Sequence, residues 1–326
     1  MRLSIFSSRE HRRFIVLLCA FTVFTVCGMG LLGMGSWHLR WLEPHLADLH
    51  RARKHHISTV FFGSSVNGHH APDDEHPSAS ISSLVEDEIQ EKMLVIAQGS
   101  FDGDRFLDYI RYAQQIEYQP TVLIVPVNLR TFSITMYRRP EYQFVREQLM
   151  LNHNPLWIQF LTVFGYQFSD WGQADYLQAP YYFDGIRRTI GENEVLFATD
   201  QLKLGFINHY EYDLTRQHPV LRALEELGKT STRAGATVIY YLTPIDSETG
   251  EAIRGETFVR ATTAASELLR QSLEPHGVWV DMLRDLPPSQ FDYHGRPNEH
   301  LNERGRRHVA SRLAGIIRKM EAKLQH

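Results

Sequence analysis

Short apolar runs that stop at polar turns alternate with amphipathic stretches along most of this chain, and that alternation narrows the possible folds more than any other feature. The runs are "STVFFGSS" (58–65), "MLVIAQGS" (93–100), "TVLIVPVN" (121–128), "ATVIYYLTP" (236–244) and "VWVDML" (278–283). They are rich in β-branched and aromatic residues and apolar on both faces, which marks strands of a covered sheet. Between them, Ile81, Leu84, Val85 and Ile89 recur at helical spacing, as do Leu107 and Ile110. A last helix is expected from Glu303 to about Leu324, with Val309, Leu313, Ile316, Ile317 and Met320 along one side. Strand and helix in alternation imply an α/β three-layer sandwich around a mainly parallel sheet.

A second feature lies at the N-terminus. "FIVLLCAFTVFTVCGMGLLGMG", Phe14 to Gly35, carries no charge and exceeds the roughly 20 residues that cross a hydrocarbon core. Arg2, Arg9, Arg12 and Arg13 precede it, whereas Arg40 alone follows before the Arg51–Lys54 cluster. That charge bias predicts a cytoplasmic N-terminus at 1–13, a transmembrane anchor at 14–35 and a juxtamembrane stalk at 36–56. Residues 57–326 would then form an extracytoplasmic, periplasmic domain held at the inner membrane by a single pass. A cleaved signal peptide is the competing reading, although its apolar core is usually shorter, about 7–15 residues.

Composition excludes several classes. Of 326 residues, 43% are hydrophobic and the net charge is only -4, so the chain is neither disordered nor wholly embedded in lipid. With no basic tract interleaved with aromatics, no nucleic-acid partner is expected. Cys19 and Cys27 both fall in the apolar N-terminal run, leaving the remainder without disulfide or thiolate chemistry. "HHAPDDEH" (69–76) gathers His69, His70, Asp73, Asp74, Glu75 and His76, but at no zinc-motif spacing. It is read as a solvated loop, and neither a metal nor another cofactor is expected. Between about 133 and 210 the alternation breaks into an aromatic-dense insertion, longer than a βα connection needs. It is either a helical addition to the core or a lid or docking face over the strand ends.

Ligands of parallel sheets sit beyond the carboxyl ends of the strands, where Ser64, Ser65, Gly99 and Asn128 all fall. Four blocks occur in order: "GSS" at 63–65, "QGS" at 98–100, "PVN" at 126–128 and "EHLNERG" at 299–305. Together they resemble the SGNH (GDSL-type) hydrolase superfamily. Within it they are most similar to membrane-anchored proteins acting on cell-envelope polymers, such as the D-alanine transfer protein of teichoic acid assembly and accessory acetyltransferases of alginate and related exopolysaccharides. The resemblance implies a serine acyltransferase or esterase, with a polysaccharide or other envelope polymer as acceptor and a multi-pass membrane acyltransferase as acyl donor.

In chemical terms Ser65 is the candidate nucleophile and His300 the base that takes its proton. The oxyanion donors would be the backbone N–H of Ser65, the N–H of Gly99 and the side-chain amide of Asn128. Plainer readings stand beside these: a Gly-Ser turn, a positive φ at Gly99, a helix cap at Asn128 and a surface histidine at His300. The superfamily places Asp three residues before the histidine, and here that position is Pro297. The orienting acid is then Asp292, or Glu299, or absent altogether. Three functions remain open: acyl transfer of a small group such as acetyl, or hydrolysis, through a Ser65 acyl-enzyme; a non-catalytic polysaccharide-binding or scaffold protein; and a lipase or thioesterase whose aromatic insertion grips an acyl chain.

Overall fold

The computed structural model describes residues 44–68, 71, 74–76, 78–137, 145–152, 198–292, 297 and 299–324, together with Val16 and Ala20. In chain order the elements are α1 (Pro44–Lys54), β1 (Thr59–Gly63), α2 (Ser65–Gly68), α3 (Ile81–Ile89), β2 (Met93–Ala97), α4 (Gly103–Gln115) and β3 (Val122–Val127). A 3₁₀ turn (Leu129–Phe132) leads to α5 (Ile134–Tyr137) and α6 (Val145–Asn152). After them come α7 (Ala198–Tyr210), α8 (Pro219–Arg233), β4 (Thr237–Leu242), α9 (Ser247–Arg254), α10 (Glu256–Leu273), β5 (Val278–Asp281) and α11 (Glu303–Leu324).

All five apolar runs are strands, and they pair in parallel in the order β2-β1-β3-β4-β5. Side chains alternate across a strand, so a run apolar throughout supplies two cores. Val60, Phe62, Leu123, Val125, Val238 and Tyr240 face α1, α4, α8 and α10. Phe61, Ile124, Ile239 and Tyr241 face the other way, onto Ile81, Leu84 and Val85 of α3 and Val309, Leu313 and Ile317 of α11. The result is a three-layer α/β architecture. Its strand order reverses direction between β1 and β3, which opens a crevice beyond their carboxyl ends.

One expectation is corrected here. Among the described residues no helix is long and apolar enough to cross a membrane. At 22 residues α11 has the length, but the exposed Arg304, Arg307, Arg312, Arg318 and Lys319 would each have to leave water. The transmembrane helix and the single-pass inner-membrane location are therefore not supported; the run at 14–35 lies outside the described residues apart from Val16 and Ala20. The amphipathic segment 36–56, read as a short helix or stalk, is described from 44 onward and is helical over Pro44–Lys54. Its helix α1 buries Leu46, Leu49 and Ala52 in the core, and His50 meets the Tyr112 hydroxyl at 3.1 Å. Of the aromatic insertion, only 133–137, 145–152 and 198–210 are described, and there Leu151, Phe206 and Tyr210 join the same core.

Candidate active site

Gly63 ends β1, and the geometry admits no side chain there. A Cβ would stand 2.8 Å from that of Ala97, its partner on β2, and 3.0 Å from that of Asn67. The chain then turns directly into α2, so that Ser65 opens that one-turn helix at the β1/β3 crevice. Asn67 holds the turn in place. Its carbonyl oxygen accepts the Ser82 N–H at 2.9 Å and its amide donates to the Ser82 hydroxyl at 3.1 Å, tying α2 to the start of α3.

His300 arrives from the far end of the chain. Its Nε2 lies 2.9 Å from the Ser65 Oγ. For the hydroxyl to donate to Nε2, the imidazole must carry its proton on Nδ1. A narrow antiparallel bridge between Phe291 and Leu301 supports the ring. One step along it, the Asp292 N–H donates to the His300 carbonyl at 2.9 Å, and the Asn302 N–H donates to the Gln290 carbonyl at 3.1 Å. Asp292 thus stands directly across from His300, and residues so opposed share a face with Cβ atoms about 4.5–5.5 Å apart. Asp292 is buried. Asn302 then caps α11, its Oδ1 accepting the Gly305 N–H at 3.2 Å.

Pro297, where the superfamily pattern has Asp, packs against Gly205 of α7 instead. Glu299 adjoins His300 in sequence and is fully buried. There its Oε1 accepts the Arg130 N–H at 3.1 Å. Burial pushes its carboxyl up to about 7, against the opposing influence of Arg130 and of the nearby Tyr210 and Asn128 side chains.

Asn128 follows β3 and is buried at the crevice. Its Oδ1 accepts the Arg130 N–H at 3.0 Å, so it does cap the 3₁₀ turn. That cap consumes the oxygen and leaves the amide nitrogen as donor, so the capping and oxyanion roles are compatible. Gly99 fits less well. It is exposed and is not among the residues lining the cleft, and the positive φ expected of it falls on Ser100, at 66°. The structure therefore brings together Ser65, His300, Asp292 and Asn128 and leaves Gly99 at the rim.

The cleft is lined by Ser65, Ser100, Asp102, Asn128, Arg130 and Tyr137, among others. Asp102 and Arg130 were not picked out from the sequence. Asp102 caps α4 by accepting the Asp104 N–H at 3.1 Å, and burial, reinforced by the charge of Asp104, pushes its carboxyl up to about 7. A caps-before-helix pattern in "FDGDRF" was the available signal, but it points to a helix start rather than to a cleft.

The acidic loop is anchored as well as solvated. Asp74 accepts the N–H groups of Ala71 at 2.8 Å and Glu303 at 2.7 Å, and pairs with the wholly buried Arg306 at 2.7 Å. Arg306 also donates to the carbonyls of Ala79 and Leu301 at 2.7 Å each. These bonds fasten the connection after Ser65 to the helix that follows His300.

No protein family and no curated protein matches the chain. Among solved structures it is similar to a catalytic variant of an acetylxylan esterase from Geobacillus stearothermophilus, with 12% identity over 78% of this chain and 90% of that one, at a TM-score of 0.36. It is similar also to a protein described as an acylhydrolase from Bacteroides fragilis, with 9% identity over 82% of this chain and 88% of the other, at a TM-score of 0.37. Likenesses this distant carry no argument about the chemistry of this chain.

Proposed function

We propose that the protein is a serine esterase or O-acyltransferase of the SGNH type that works through an acyl-enzyme on Ser65. The observation that carries this reading is the 2.9 Å contact between Ser65 Oγ and His300 Nε2 at the switch point of the sheet. Ser65 attacks the acyl carbonyl carbon as its proton passes to His300 Nε2. The carbonyl oxygen becomes an oxyanion facing the Asn128 amide and the Ser65 N–H. Collapse of the intermediate expels the leaving group, which takes the proton from His300. Water or an acceptor hydroxyl then attacks the ester carbonyl by the same route in reverse, freeing Ser65. Asp292, buried across from His300, is the acid that holds the ring with Nδ1 protonated.

In this reading the acyl group is small, such as acetyl, and it enters the cleft lined by Ser65, Ser100 and Asn128. The acceptor in this reading is a hydroxyl of a cell-envelope polysaccharide, as the four sequence blocks suggest. The test is turnover of p-nitrophenyl acetate together with labelling by a serine-reactive phosphonate, both lost in Ser65→Ala. A series of longer p-nitrophenyl esters should show falling kcat/KM. Absence of turnover and labelling in the wild-type protein, with polysaccharide binding intact, would leave a binding protein instead.

A further inference from the structure

We infer that Glu299 is a positioning residue that fixes the orientation of the Asn128 amide, so that one of its N–H groups faces the cleft. The inference rests on the acyl-enzyme reading above. Its basis is a single backbone donor shared by two side chains. The Arg130 N–H lies 3.0 Å from Asn128 Oδ1 and 3.1 Å from Glu299 Oε1. A side-chain amide can flip, exchanging its oxygen for its nitrogen, and a flipped Asn128 would present an acceptor where an oxyanion needs a donor. Oxygen toward Arg130 N is the favoured arrangement, because the flipped one sets N–H against N–H. The Glu299 carboxylate adds a second constraint. Above about pH 7, where the Glu299 carboxyl is charged, it offers acceptors only, and the Asn128 side chain lies close enough to favour that charged form. With its oxygen held by the Arg130 N–H, the Asn128 amide nitrogen keeps both hydrogens as donors, one available to the nearby carboxylate and one to the substrate.

The surroundings of Glu299 suit that role. It has no exposed surface, so water does not compete for its oxygens. The ionisable groups facing it are Arg130 from the 3₁₀ turn, Tyr210 at the end of α7 and Tyr212 just beyond. Tyr212 in turn donates its hydroxyl to the Leu129 carbonyl, beside Asn128. Because Glu299 is bonded to the next residue, His300, one short segment sets both the base and the oxyanion donor. That links two groups that lie far apart along the chain and must act on the same carbonyl.

A double-mutant cycle on the full chain tests this, with p-nitrophenyl acetate as the probe. Glu299→Gln is expected to lower kcat about tenfold while KM stays within twofold, since the donor acts in the transition state. Asn128→Ala should lower kcat about 100-fold. If Glu299 acts through Asn128, adding Glu299→Gln to Asn128→Ala costs less than twofold more. An equal cost of Glu299→Gln in both backgrounds, or no cost in the wild-type background, overturns the inference and leaves the acyl-enzyme reading standing. Wild-type protein without Ser65-dependent turnover overturns both. Melting temperatures monitor folding. Should Glu299→Gln fail to fold, Glu299→Asp, which keeps the charge but retracts it from Asn128, must show the same non-additivity or the inference falls.

Discussion

Ser65 Oγ and His300 Nε2 stand 2.9 Å apart although 235 residues separate them in sequence. One belongs to the turn after the second-placed strand of the sheet, the other to the bridge ahead of the final helix. If the pair is a nucleophile and its base, Ser65→Ala and His300→Ala should each reduce kcat for p-nitrophenyl acetate by about 10⁴-fold or more. The two substitutions together should cost no more than either alone, because the residues act as a unit. Steady-state kinetics of the three variants measure this, and a substantial rate in Ser65→Ala would contradict it.

Asp292 faces His300 across the Phe291–Leu301 bridge. Asp292→Asn keeps the shape but removes the charge that favours the Nδ1-protonated ring. It is expected to lower kcat by about 10²- to 10⁴-fold with little change in KM. Glu299→Gln should cost far less. The reverse ranking would move the role of orienting acid from Asp292 to Glu299.

Asn128 caps the 3₁₀ turn, and that role can be separated from the proposed role of its amide as oxyanion donor. In Asn128→Ser the hydroxyl retains an acceptor for the Arg130 N–H, so the melting temperature should change little. The amide is lost, and kcat should fall by about 10²- to 10³-fold. A large fall in stability with kcat preserved would reduce Asn128 to its capping role.

Glu299 gives a stability prediction with a defined sign. Burial raises its carboxyl from 4.5 to about 7, so the folded protein holds this proton more tightly than the unfolded chain. Its favourable contribution is complete below about pH 4.5 and is lost as pH rises through about 7. Glu299→Gln should therefore gain stability relative to the wild type between those limits, by an amount on the order of 3 kcal/mol. Urea denaturation at pH 5 and pH 8 reads the difference, and a pH-independent gap would contradict a buried, titrating Glu299.

The Asp74–Arg306 pair, with side chains 1% and 0% exposed, is the one whose removal should most damage the region around the site. Asp74→Ala leaves a buried guanidinium without its counter-charge and is expected to destabilise the fold by about 3–5 kcal/mol. The Asp74 carboxyl is held below its usual range by its bonds to Arg306 and to the Ala71 and Glu303 N–H groups. Its contribution is therefore present above pH 3.8 and lost on further acidification. Denaturation of Asp74→Ala near neutral pH checks the magnitude.

Much of the architecture was legible in the sequence. Each strand is an uninterrupted apolar run, because a strand in a covered parallel sheet meets a core on both faces, and Val60 and Phe61 are both buried for that reason. The helix periods of α3 and α11 were legible because each has only one face to bury. Ser65 and Asn128 could be singled out because a hydroxyl and an amide are unexpected at the ends of apolar strands, and His300 because it sits in the block "EHLNERG" ahead of the last helix. Long-range pairing decided the rest. Local pattern cannot tell that Asp292 stands opposite His300 across a two-residue bridge, that Glu299 accepts the Arg130 N–H, or that Ser100 rather than Gly99 takes the positive φ. Nor does it reveal that α1 docks on α4 instead of standing apart. Sequence periodicity reports which face of an element is apolar, a property of residues three or four positions apart. The meeting of Ser65, Asn128 and His300 depends on strand order and on the buried Asp74–Arg306 tie, and only the folded chain contains those.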